Sequence, residues 1–149
     1  MARVESEIII HRPVSDVFDF VADERNEPRF NPRMLDAEQI SDGPIGRGTR
    51  FRAKLKTMVR PMPITVEFTG FKRPRRLAST TRSSMMETVG ALTFEPVSEG
   101  TRMRWSWEVR PRGALRLMTP IVGPLGRRQE QNIWANLKRL LESEIRNRD

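Results

Sequence analysis

The feature that most constrains this chain is a train of period-two segments followed by one long helical stripe. "TRFRAKLKT" sets Phe51, Ala53 and Leu55 against Arg50, Arg52, Lys54 and Lys56. "PITVEFTGF" sets Ile64, Val66 and Phe68 against Thr65, Glu67 and Thr69. "METVGALTFEPV" puts Leu92 and Phe94 opposite Thr93 and Glu95, and "TRMRWSWEV" puts Met103, Trp105, Trp107 and Val109 opposite Arg102, Arg104, Ser106 and Glu108. Alternate side chains of a strand point to opposite faces, so each segment reads as a strand with one dry and one wet face. "RVESEIII", "MLDAEQI" and "RLASTTRS" bring the count to seven strands. The turns at "SDGPIGRG", Pro74 and "SEG" join them in series, which predicts one antiparallel meander.

Helical spacing appears in two places. After the first strand, Val14, Val17, Phe18 and Val21 recur at i, i+3, i+4 and i+7, behind Pro13 in the first turn. Pro28 and Pro32 then restrict "ERNEPRFNP" to a short helix or turn. Near the C-terminus, Leu115, Met118, Val122 and Leu125 begin a stripe that Ile133, Leu137, Leu140 and Leu141 continue. Pro120, Gly123, Pro124 and Gly126 interrupt it, so a break or kink is expected between Thr119 and Gly126, with a solid helix from about Leu125 to Arg146.

Composition narrows the chemistry. A chain of 149 residues without cysteine has no disulfide framework, thiolate metal site or cysteine nucleophile, and one histidine, His11, does not build a zinc site. Neither a membrane span nor a secretory leader is expected, which makes the cytoplasm the default location. The net charge of +8 raises nucleic acid or an anionic surface as partners. Its basic stretches, "FKRPRRL" and the residues from Arg110 to the end, carry no nucleic-acid-binding motif, and read as solvated surface.

The element order resembles the helix-grip fold of the START/Bet v 1-like (SRPBCC) superfamily, and more specifically its polyketide cyclase/dehydrase-like members. The residues that carry the likeness are "IIIHRPVSDVFDFVADERNEPRFNP", "GPIGRGTRFR", "FEPVSEGTRMRW" and "RQEQNIWANLKRLLE". The resemblance implies an α+β fold over residues 1–149 as one domain. A seven-stranded curved antiparallel sheet would wrap around a long C-terminal helix, with two short helices after the first strand. It also implies a cavity between sheet and helix, with Phe30 where relatives often have tryptophan.

The expected occupant is a small hydrophobic molecule: lipid-like, aromatic or polyketide-like. The residues expected to border it are Phe30, Phe51, Phe68, Leu92, Met103, Trp105, Trp107, Met118, Ile121, Val122 and Leu125. Trp105 and Trp107 share the apolar face of their strand, and alternation alone leaves both core packing and cavity wall open for them. A cyclase or dehydratase acting in the cavity is the alternative, and an interaction module using the basic surface a third. No cofactor or metal is expected. No phosphate loop, nucleophile elbow or paired-carboxylate motif is present, and no catalytic residue stands out. Glu67, Glu87 and Glu108 fall on wet faces, His11 lies between strand and helix, and Gln129, Asn132 and Asn136 flank the helical stripe. The expected partners exclude sequence-specific nucleic acid, and the expected state is a monomer or homodimer.

Overall fold

The computed structural model describes residues 2–112 and 119–148, with side chains described for 3–112 and 128–143. Strand β1 (Ala2–Ile10) leads into helix α1 (Val14–Ala22) and a 3-10 helix (Glu24–Arg29). Six strands follow: β2 (Met34–Gln39), β3 (Arg50–Leu55), β4 (Met62–Lys72), β5 (Arg76–Arg82), β6 (Met86–Val97) and β7 (Gly100–Pro111). Helix α2 (Thr119–Arg148) closes the chain. The strands form one sheet in the order β1-β7-β6-β5-β4-β3-β2, every pair antiparallel. Only β1 is out of sequence: it pairs with β7, so the chain leaves one edge of the sheet, crosses over through the two short helices and returns along the other edge.

The alternation seen in the sequence becomes burial. Phe51 and Ala53 on β3, Ile64, Val66 and Phe68 on β4, Leu92 and Phe94 on β6, and Met103 and Trp105 on β7 are all buried. They meet Ile133, Trp134, Leu137 and Leu141 of α2 and Val17, Phe18, Val21 and Ala22 of α1 in one core. Phe18 packs edge-on to Phe71 and Phe94, at 5.2 and 5.1 Å between ring centres, which ties α1 to the strands beneath it. Polar contacts seat α2 at its far end: Arg12 donates to the Leu141 carbonyl at 2.8 Å, and Lys138 to the Ile9 carbonyl at 2.7 Å.

The wet face carries charge across strands. Glu7 lies between Arg102 and Arg104, 3.4 and 3.0 Å away, which accounts for those arginines without a ligand. On the opposite edge Glu38 pairs at 3.5 Å with Arg52, its register neighbour.

The break expected in the last helix is not found. The helix is not interrupted between Thr119 and Gly126; a single helix spans Thr119–Arg148. Pro120 falls in the first turn, where N–H groups have no intrahelical partner to lose, and Pro124 removes just one bond of the ladder.

Candidate functional site

Between the concave face of the sheet, the 3-10 helix and α2 lies a cavity of about 220 Å³. Its floor is apolar: Ile64, Val66 and Phe68 on β4, Leu77 on β5 and Leu92 on β6. The hydroxyls of Ser79, Thr81 and Thr88 interrupt this floor. Ile133 and Trp134 descend from α2, and Phe30, Asn31 and Met34 close the side below the 3-10 helix.

Among the expected site residues, Phe30, Phe68, Leu92 and Trp107 line this cavity. Phe51, Met103 and Trp105 do not; they are buried in the core. Alternation selects the face of the sheet, but α1 and α2 then cover part of that face. Phe51 stacks at a tilt on Phe68, and Trp105 lies 5.9 Å from the Trp134 ring. Met118 lies outside the described residues, as do the side chains of Ile121, Val122 and Leu125.

The two indoles of β7 therefore part company. Trp105 is core, whereas Trp107 is half-buried in the cavity wall. The neighbour that admits Trp107 is Gly90, its register partner on β6. A Cβ at that position would come within 1.9 Å of the Ser106 carbonyl oxygen and 2.8 Å of the Trp107 ring.

The polar end of the cavity was not legible in the sequence. Glu24 and Glu27 from the 3-10 helix and Glu130 from α2 converge there. Burial pushes the Glu130 carboxyl up to about 7, and the charge of Glu27 adds to it; a hydrogen bond from Trp134 Nε1 to Oε2, at 2.7 Å, works the other way. The Trp107 indole also faces this carboxylate and holds it down, without forming a well-aligned hydrogen bond.

Burial likewise raises Glu24 well above the usual carboxyl range, reinforced by the nearby carboxylate of Glu27. Glu24 Oε2 is sealed from solvent with no partner, although the residue as a whole is partly exposed. Glu27 also accepts from Asn31 Nδ2 at 2.9 Å. Among the described residues, no group of acidic or histidine side chains is arranged to hold a metal ion.

One signal for Glu130 was available. It stands at i, i+3, i+4 and i+7 with Ile133, Trp134 and Leu137, a carboxylate on the buried stripe of its own helix. Its flanking amides differ: Gln129 lines the cavity, Asn136 donates to the Phe30 carbonyl at 3.1 Å, and Asn132 is exposed. His11 is on the surface, 3.9 Å from Glu142. In the basic turn, Arg73 makes two 2.7 Å bonds to Asp19, so part of that charge is spoken for.

The polyketide cyclase / dehydrase and lipid transport family model matches residues 1–142. The chain belongs to that family. No curated protein sequence matches it. Among solved structures it is similar to the Zhui aromatase/cyclase from Streptomyces sp. R1128, with a TM-score of 0.80 at 13% identity over 96% of this chain and 94% of that one. A protein from Thermus thermophilus gives 0.77 at 16% identity over 95% and 98%. Ara h 8.0201 gives 0.71 at 13% identity over 95% and 97%. These likenesses establish the helix-grip fold shared across the SRPBCC superfamily. Among the described residues, no helix is long and apolar enough to cross a membrane.

Proposed function

We propose that this family member binds a small, largely apolar organic molecule in the cavity, with the carboxyl cluster receiving its polar group. The observation that carries this reading is the division of the cavity into an apolar floor and one buried acidic end. Ligand sites are commonly built this way, mostly apolar with a few placed polar groups. At about 220 Å³ the cavity is smaller than the roughly 300–1,000 Å³ of drug-sized sites, which suits a compact molecule or one end of a longer one. The proposal includes a monomer or homodimer in the cytoplasm, without sequence-specific nucleic-acid binding.

Native mass spectrometry of the purified protein, with solvent extraction of any carried compound, tests it together with an apolar fluorescent probe. Thr88→Phe, which fills the cavity from β6, should lower probe affinity about ten-fold by removing the apolar contact area. Unchanged affinity would place the site elsewhere.

A second reading is favoured by Glu130 itself. A carboxyl poised at about 7 beside the cavity can both give and accept a proton at neutral pH, as a cyclase or dehydratase requires. In that case Glu130→Gln abolishes turnover of a hydroxylated or carbonyl-bearing substrate while the probe still binds.

A further inference from the structure

One end of the sheet differs from the rest of the surface. Register brings together Arg33 just before β2, the start of β2, the β3–β4 hairpin, the β5–β6 hairpin and the end of β7. Four exposed apolar side chains gather there: Leu35, Met58, Val59 and Met85. Met58 and Val59 are fully exposed at a hairpin tip, so they bury no area in this fold. The tip is not an unstructured excursion. Thr57 Oγ1 donates to the Arg60 carbonyl at 2.6 Å and accepts from the Arg60 and Val59 amides at 3.2 and 3.3 Å, fixing a turn that points both side chains outward.

Cations surround these apolar groups. Lys56 and Arg60 bracket the tip, and Arg33, exposed, reaches the Lys56 carbonyl at 3.5 Å. Arg82, Arg110 and Arg112 crowd around Glu87, within 3.2, 3.5 and 3.1 Å, with Glu108 the other acid beside Arg110. Positive charge is therefore in excess. The same end adjoins the cavity: Arg33, Leu55 and Met86, among the less buried of its lining residues, all lie here.

We propose that this end of the sheet docks on an anionic lipid bilayer, with Met58 and Val59 entering the interfacial region and the surrounding cations meeting lipid phosphates. Exposed apolar side chains ringed by lysine and arginine gain from both parts of such a surface: burial among acyl chains and attraction to anionic headgroups. A soluble acidic partner would satisfy the cations and leave the apolar tip in water. A docked orientation would also turn the cavity's less buried side towards the lipid. The inference stands whether or not the cavity binds a ligand.

Co-sedimentation of the full chain with vesicles tests it. Binding is expected to mixed phosphatidylglycerol/phosphatidylcholine vesicles, to weaken with salt, and to be far weaker to phosphatidylcholine alone. Met58→Asp/Val59→Asp should weaken it about a hundred-fold or more, the order expected when two inserted apolar side chains are lost. Probe binding in vesicle-free solution should not change, which separates docking from the cavity. Met58→Ser/Val59→Ser, checked by thermal unfolding, guards against a folding defect and should show the same direction. No vesicle binding, equal binding to both vesicle types, or a wild-type response from both variants would overturn the proposal. So would a loss of dimer in the variants with vesicle binding intact, because the patch would then join two copies of this chain.

Discussion

The indole of Trp134 donates to Glu130 Oε2 at 2.7 Å, one helical turn away on the same face of α2. Trp134 is buried between Phe30 and Trp105, 5.7 and 5.9 Å from their rings. The helix thus presents a carboxyl to the cavity from within its apolar stripe, and the tryptophan core fixes the partner that orients it. This pair makes the acidic end of the cavity a built feature.

Stability should fall as the pH rises towards 7. The Glu130 carboxyl titrates at about 7 in the fold against an ordinary value of 4.5, so the folded protein holds a proton that the unfolded chain releases first. The contribution is complete below about 4.5 and lost above about 7, to the extent of roughly 3 kcal/mol at 1.36 kcal/mol per pH unit. Glu24, raised for the same reason, adds in the same direction. Glu130→Gln keeps an acceptor for Trp134 and removes the titration. Its melting temperature should exceed that of the wild type at pH 8 by several degrees, with the gap closing at pH 5. An equal gap at both values would show that Glu130 titrates normally.

Trp134→Phe should move that titration upward. The indole N–H stabilises the ionised carboxylate, so its loss favours the protonated form. Carbon-13 chemical shifts of the Glu130 carboxyl would follow the midpoint directly. The variant should lose about 1.5–3 kcal/mol at pH 8, the range for a hydrogen bond to a charged group, and less at pH 5. A midpoint that moves down would contradict the geometry.

Phe51 and Thr88 should behave as opposites. Phe51 is fully buried and lies outside the cavity lining. Phe51→Ala is expected to cost about 3–5 kcal/mol in denaturant unfolding, while the molecules that remain folded bind an apolar probe normally. Thr88→Phe is expected to do the reverse. A large loss of probe affinity in Phe51→Ala would mean that the cavity extends along β3 to Phe51.

Gly90→Ala should damage both stability and the cavity wall. The added methyl meets a backbone oxygen and the Trp107 ring at distances that allow neither to stay in place. Overpacking of this kind costs about 1–3 kcal/mol or more. Trp107 fluorescence should shift along with the melting temperature, because the ring is displaced from its position over β6. A variant with the wild-type melt and emission would show that the strands separate freely there.

The sequence alone determined the elements and the face each one buries. Strands need only local alternation and turns, and α1 needs only its stripe, so β3, β4, β6 and β7 were readable from side-chain type. Alternation has two outcomes per residue, in or out, and cannot say what an inward side chain meets. Tertiary structure decided that Trp105 packs on Trp134 while Trp107, two residues along the same face, lines a cavity. It also brought Glu24 and Glu27 to Glu130 across more than a hundred residues, and the raised proton affinity of Glu24 and Glu130 comes from their burial there. An isolated carboxylate in a sequence titrates normally; only the packing of a 3-10 helix against α2 removes water from Glu24 and Glu130.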